Sequence, residues 1–440
     1  MKKFMISSFL VCGISAVAVA QQIDAGLFRF PDVSKTQIVF TYANDIWILP
    51  KNGGTAQKLS SPAGLEVFPK FSPDGKNVAY SANYDGNNEV YVIPVEGGIP
   101  ERLSFHGFTE RVVDWTPDGK DVLFASGRES GRNRFSQFYT IPAKKGPAKK
   151  LPFAYAEFGS YSPDGNKMAL VFVSQAFRNW KRYRGGWKAN IHIYDFVKNT
   201  SENISGKEVA GSEFPMWNGD YIYFISDRGT EQRMNLWRYS ITTEKLEQLT
   251  QFKDYDIHFP SAGPDDIVFE QGGKLYLFSF ATQKYQTVPV SLVMDKSEMK
   301  PKTISADKYV QHYAISPDGN RVLVEARGDI FSLPAENGFV KNITQSSGIA
   351  ERYPAWSPDG QSIAYWSDEG GEYNLWIKNR DLAPKKITNF SSGFNYNLYW
   401  SPNSKMLAFI DKAMKIKYCD ISTGKIYDVD KALNFLQDGC

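Results

Sequence analysis

The sequence predicts an all-β protein: a six-bladed β-propeller followed by an incomplete second β-propeller of about three blades. Three observations carry this. A turn tetrapeptide recurs, as Ser72-Pro73-Asp74-Gly75, Thr116-Pro117-Asp118-Gly119, Ser162-Pro163-Asp164-Gly165, Ser316-Pro317-Asp318-Gly319 and Ser357-Pro358-Asp359-Gly360. With degraded copies at Trp217-Asn218-Gly219, Gly263-Pro264-Asp265-Asp266 and Trp400-Ser401-Pro402-Asn403, the steps at the last turn position (75, 119, 165, 219, 266, 319, 360, 404) are 44, 46, 54, 47, 53, 41 and 44 residues. A period in the forties with strand patterning is the signature of propeller blades. Finally, no long stretch carries the 3.6-residue apolar period of a helix.

Each repeat reads as four strands. The turn suits a type I geometry, with Pro setting φ near −65° and Ser bonding the local backbone. A β-prone run follows it, as in Val78-Ala79-Tyr80, Val122-Leu123-Phe124 and Ile363-Ala364-Tyr365. After a polar loop comes an alternating strand, with Asp45–Pro50 and Asp329–Pro334 closely matched. The last strand closes on Leu-Ser, Leu-Thr or Ile-Thr, as at Leu59-Ser60, Leu249-Thr250 and Ile387-Thr388. Aromatic residues make up 15% of the chain, which fits blades packed through large flat side chains.

The first repeat lacks the turn motif but has the strands Gln37–Tyr42 and Asp45–Leu49, so six repeats precede residue 290. Periodicity lapses across Lys296, Glu298, Lys300, Pro301 and Lys302, a linker composition. The expected organisation is residues 1–20 as a signal peptide, 24–290 as the first propeller, 291–304 as linker, 305–433 as the first blades of a second propeller and 434–440 as a tail. Three blades cannot close a ring, so the second propeller is expected to be completed by something else.

Lys2 and Lys3 precede the apolar run Phe4–Val17, and Ala18-Val19-Ala20 has the small-x-small form of a cleavage site. This predicts export, with a periplasmic location. Removing the two lysines from 51 basic residues leaves 49 against 48 acidic ones, a net charge of +1. That balance argues against a nucleic-acid partner. Cys419 and Cys440 are the cysteines left after cleavage, too few for a disulfide framework; a pair and free thiols both stay open.

His106, His192, His258 and His312 are scattered without metal-ligand spacing. There is no Gly-x-Ser-x-Gly elbow, P-loop or Cys-x-x-Cys. The turn aspartates form no calcium-loop run. No cofactor, metal or catalytic residue is therefore expected. Two basic loops stand out, Arg128-Glu129-Ser130-Gly131-Arg132-Asn133-Arg134 and Phe177-Arg178-Asn179-Trp180-Lys181-Arg182-Tyr183-Arg184-Gly185-Gly186-Trp187-Lys188. The second holds five cations and four aromatics in twelve residues. Arginine forks hold carboxylates, and paired glycines admit a close backbone. Arg128, Arg132, Arg134, Arg178, Arg182, Tyr183 and Arg184 are the candidate contacts for a peptide carboxylate or acidic partner. The alternative is a blade-connecting loop docked on a neighbouring domain.

Phe30-Pro31-Asp32 followed by Ile38-Val39-Phe40 and Asp45-Ile46-Trp47, the Trp180–Gly186 loop, and Gly348-Ile349-Ala350-Glu351-Arg352-Tyr353-Pro354-Ala355-Trp356-Ser357-Pro358 together match one family. The chain resembles the N-terminal half of tricorn-type peptidases over about residues 24 to 433. In that family a six-bladed and a seven-bladed propeller precede a PDZ-like domain and a serine-peptidase core. The resemblance implies propellers that gate and channel peptides for a core that this sequence does not contain, so no catalytic residue is carried over. Implied partners are peptides or unfolded polypeptide, peptidase core domains in the same or a partner chain, and further copies of the chain. The signal sequence departs from the pattern, since the well-known members act inside the cell; a cytoplasmic location is the alternative. Competing readings are a non-catalytic exported binding propeller of TolB type and the propeller of a prolyl-oligopeptidase-type enzyme.

Overall fold

The recurring turn forms because its side chains satisfy its own backbone. Ser72 Oγ donates to Asp74 Oδ1 at 2.6 Å and accepts from Asn77 N at 3.0 Å, while Asp74 Oδ1 accepts from Lys76 N at 3.1 Å. Gly75 closes the turn at φ +71° with its N–H 2.7 Å from Ser72 O. The same bonds recur around Ser162, Ser316 and Ser357, and Thr116 plays the part of Ser in its repeat. Hydrogen bonding from the Ser or Thr hydroxyl holds Asp74, Asp118, Asp164, Asp318 and Asp359 below the usual carboxylate range. Where it occurs, this turn joins the first strand of its blade to the second, so it lies at one end of the innermost strand.

The computed structural model describes residues 26–131, 135–179, 182–206, 210–293, 303–380 and 382–432. The signal-peptide reading of residues 1–20, the polar stretch Lys296–Lys302, Arg132, Arg134, Cys440 and the 434–440 tail lie outside them. The chain divides into two compact units, Met1–Asp295 and Lys296–Cys440. Among the described residues the regular structure is strand, apart from a 3₁₀ turn at Asp307–Tyr309.

The first unit carries six antiparallel blades, each a sheet of four successive strands. Their innermost strands are Arg29–Val33, Glu66–Phe71, Glu110–Trp115, Phe158–Tyr161, Ser212–Asn218 and Ile257–Ala262. Six apolar layers separate the blades. One, built on Phe28, Phe40, Trp47, Val268 and Leu277, joins the sixth blade back to the first, so the ring is closed. The other five fill the remaining blade-to-blade gaps. A fifth strand, Val290–Leu292, adds in parallel to Gly54–Lys58 on the outer edge of the first blade. Ser291 and Leu292, read from sequence as the start of a linker, therefore still belong to a sheet.

The second unit holds three blades, with innermost strands Val310–Ile315, Glu351–Trp356 and Tyr399–Trp400. Two apolar layers lie between them, one on Leu323, Ile330, Ile363 and Tyr365 and one on Trp366, Leu375, Leu407 and Phe409. Cys419 is buried and free. No helix among the described residues is long and apolar enough to cross a membrane.

Candidate functional site

The axis of the six-bladed ring is lined by a repeated dipeptide. Phe30-Pro31, Phe68-Pro69, Phe214-Pro215 and Phe259-Pro260 each sit on an innermost strand where the pairing slips, with the phenylalanine at φ +50°, +56°, +54° and +44°. A bulge leaves a residue out of the ladder, and proline, lacking an N–H, is tolerated there. A non-glycine residue in this left-handed region costs about 1–2 kcal/mol. Four such residues around one axis are a conformation the blades impose. The fourth blade supplies Phe158 without a slip in register, and the third supplies Arg111 in place of an aromatic ring.

These side chains form a ring across the axis. Phe30 lies 4.1 Å from Phe68 and 4.6 Å from Phe259 between centroids, Phe214 lies 5.3 Å from Phe259, and Phe158 lies 4.2 Å from Phe214. The Arg111 guanidinium closes the gap, 4.4 Å from the Phe158 centroid and 5.7 Å from that of Phe68. Phe177 caps the ring, with its centroid 5.8–5.9 Å from Phe68, Phe158 and Phe259 and 4.9 Å from the Arg111 guanidinium. Burial pulls Arg111 down to about 10, with the Arg178 charge adding and Glu157 opposing.

On one side of the ring is a cavity of about 180 Å³, lined by all six innermost strands. It shares Asp114, Ser160, Trp217, Ala262 and Gly263 with a wider vestibule of about 590 Å³ walled by the Pro-Asp-Gly turns. Inside, Lys70 donates to Ser261 Oγ and lies 3.6 Å from Asp32, which also accepts from Ser261 Oγ and from Phe71 N.

Phe177 belongs to the second of the basic loops, and buried glutamates at the starts of the inner strands hold it. Ser174 N donates to Glu157 at 3.1 Å, Ser174 Oγ to Glu213 at 2.6 Å and Gln175 N to Glu213 at 2.8 Å. Arg178 pairs with Glu157 at 3.0 Å. Arg182 donates to Gln232 O at 2.7 Å and lies 3.4 Å from Asp256. Arg184 closes on Asp227 with contacts of 2.9 and 2.8 Å. Tyr183 O accepts from Gln175 Nε2, and the Tyr183 ring folds over Gly185, where a Cβ would stand 2.1 Å from its hydroxyl. Burial raises Glu213 to about 7, with the Glu157 charge contributing. The structure thus gathers Arg178, Arg182, Tyr183 and Arg184 into one loop beside the axis, each arginine paired with a carboxylate of the chain. Arg128, in the other loop, pairs with buried Glu110 and stacks on Tyr139 with its guanidinium 4.8 Å from the ring centroid.

The aromatic ring went unrecognised at the sequence level. Its signal is the Phe-Pro pair seven residues before the last turn position, as in Phe68/Gly75 and Phe259/Asp266. Among the described residues no three His, Cys, Asp or Glu side chains group as a metal site.

A closed six-bladed ring with aromatic side chains packed across its axis defines a β-propeller. The family described as "Tricorn protease N-terminal beta propeller domain" matches residues 25–284, and the chain belongs to that family. A "Tricorn protease homolog" of Saccharolobus solfataricus is 24% identical over 92% of this chain and 37% of its own length. A "Putative Tricorn-like protease N-terminal subunit" of Sulfurisphaera tokodaii is 26% identical over 39% of this chain and 88% of its own. The crystal structure of the tricorn protease superposes with a TM-score of 0.66 at 20% identity, covering 93% of this chain and 40% of that one. That likeness shows the fold across both units, and the chain spans well under half the length of the full-length relatives.

Proposed function

We propose that this chain is the propeller portion of a tricorn-like serine peptidase, and that its six-bladed ring gates the passage of peptides to or from a peptidase core carried in the same or a partner chain. The observation that carries this is the aromatic stopper: six side chains from six blades, capped by Phe177, close an axis that is otherwise a cavity and vestibule. A relative named as an N-terminal subunit supports a core in a partner chain. The arginines read as peptide contacts act in this proposal by exchange. A peptide carboxylate competes with Glu157, Asp256 and Asp227 for Arg178, Arg182 and Arg184, with Tyr183 beside them, and so loosens the loop that holds Phe177. Arg128, Arg132 and Arg134 form the second set of contacts. Residues 1–20 export the chain, with a mature start at Gln21 that N-terminal sequencing reads.

The test uses the native protein isolated together with its peptidase core. Phe177→Ala is expected to raise turnover of a long fluorogenic peptide several-fold and leave a dipeptide amide unchanged. Equal rates of both substrates in variant and wild type would sink the gate. A serine-directed inhibitor that leaves turnover intact would sink the peptidase assignment.

A further inference from the structure

The cavity behind the aromatic ring holds charges that the gate does not use. Lys70 is occupied: its ammonium meets Asp32 and Ser261, and Asp32 is satisfied on both oxygens. Asp114, on the neighbouring blade, is not. It accepts the N–H of the next residue, Trp115, at 2.8 Å, and no cation lies within salt-bridge distance of it among the described residues. Lys70 and Asp114 are the charged side chains that line the cavity, and because Lys70 is taken up by Asp32 and Ser261, the Asp114 carboxylate is left without a salt bridge of its own among the described residues. Asp114 lines both the cavity and the vestibule, so a solute entering from the turn face reaches it without passing the phenylalanines. Ser160 lines both spaces too; its hydroxyl oxygen takes the Trp217 N–H at 3.1 Å and keeps a lone pair. A carboxylate held in a poorly solvated wall favours an entering cation that can also donate hydrogen bonds.

We infer that this cavity is a subsite for a primary ammonium group, with Asp114 as its counter-ion and Ser160 as a second acceptor, and that the ligand is the amino-terminal or lysine ammonium of a short peptide held on the axis. A primary ammonium has three donors and a compact charge, which suits a cavity of about 180 Å³ better than a planar guanidinium does. Burial drives Asp114 up to about 6, with Lys70 opposing, and a cation bound at the carboxylate reverses that effect. The inference rests on the ring being a peptide passage.

The experiment is calorimetric titration of the full chain with three peptides: trialanine, N-acetyl-trialanine, and an N-acetylated alanine peptide carrying one lysine. Trialanine is expected to bind at least tenfold more tightly than its acetylated form. If the lysine peptide recovers that affinity, any primary ammonium serves; if it does not, the peptide terminus is the ligand. Asp114→Asn keeps the acceptor for Trp115 N–H and is expected to erase the tenfold preference while leaving acetylated-peptide affinity unchanged. Equal binding of trialanine and N-acetyl-trialanine to wild type overturns the ammonium subsite but leaves the peptide passage standing. Absence of binding by all three overturns both. A preference that survives Asp114→Asn removes Asp114 as the counter-ion and with it the inference. The acetylation comparison needs no variant, so a folding defect in Asp114→Asn leaves the test decisive.

Discussion

Single residues in this fold are explained by what they touch. The Tyr-Arg-Gly-Gly run works through space: a Cβ at Gly185 would overlap the Tyr183 hydroxyl, whereas one at Gly186 would meet nothing within 4 Å. The atoms in the way are the far end of a side chain, so Gly185→Ala is expected to swing Tyr183 out rather than unfold the ring. Its stability is predicted to stay within about 1 kcal/mol of wild type. With Tyr183 displaced, trypsin should cut at Arg182 or Arg184 several-fold faster in Gly185→Ala, and at the wild-type rate in Gly186→Ala. Identical digestion of the two variants would show that Tyr183 does not hold the loop. The repeated tryptophan is another contact-defined residue. Trp115 Nε1 donates to Lys70 O at 2.9 Å and Trp400 Nε1 to Ala355 O at 3.2 Å, each reaching the inner strand one blade back. Trp356 occupies the same position in its repeat, yet its buried indole N–H finds no acceptor among the described residues.

At the scale of elements, the stopper loop depends on a buried acid. Glu213 sits at about 7 in the fold against an ordinary 4.5, chiefly through burial, with Glu157 and Arg178 as the charged neighbours that face it. A raised carboxylate pKa means the folded state keeps a proton that the undocked state has released. Docking is therefore strongest below about pH 4.5 and weakens as pH rises to about 7, by roughly 3 kcal/mol if the whole shift is felt. Proteolysis of the loop at pH 5 and pH 8 measures this. Wild type is expected to be cut faster at pH 8, and Glu213→Gln, which cannot ionise, is expected to lose most of that difference. An unchanged pH response in Glu213→Gln would place the titration elsewhere, with Glu270, also raised to about 7 by burial, as the next group to test. This loop also marks how far sequence reading reaches. The turns were legible because Ser, Pro, Asp and Gly satisfy one another within five residues. The arginines were legible as carboxylate binders, but their partners Asp227 and Asp256 lie tens of residues away, and no local rule pairs them. The phenylalanine ring escaped for the same reason: its members stand about one repeat apart, and only closure of the ring brings Phe30 against Phe259.

For the first unit as a whole, the question is how a ring made of successive blades stays shut when the strand its end lends to the first blade, Val290–Leu292, lies on the outer edge of that blade. The seam between the first and sixth blades carries an apolar layer, the Asp32–Ser261 bond, a Lys51–Asp266 ion pair at 2.5 Å and close packing of Gly263 on the Val33 carbonyl. Outside the seam, the strand Val290–Leu292 lies along Gly54–Lys58 as a latch, and Gly54 N donates to Pro289 O at 2.9 Å. Gly53 makes the latch fit: its φ is +89°, and a Cβ there would stand 2.6 Å from Pro289 O and Cγ. Gly53→Ala therefore carries a left-handed alanine and pushes the latch away, a cost of about 2 kcal/mol. For a unit of this size that lowers the melting temperature by roughly 4–8 °C. Amide exchange separates a latch from generic damage. Gly54–Lys58 and the sixth blade should lose protection first, while the third and fourth blades, opposite the seam, keep theirs. Uniform loss of protection around the ring would mean that the apolar layer alone holds the seam and that Val290–Leu292 merely rests on it. Selective loss would make the latch the element that sets how easily the ring, and with it the stoppered axis, comes open.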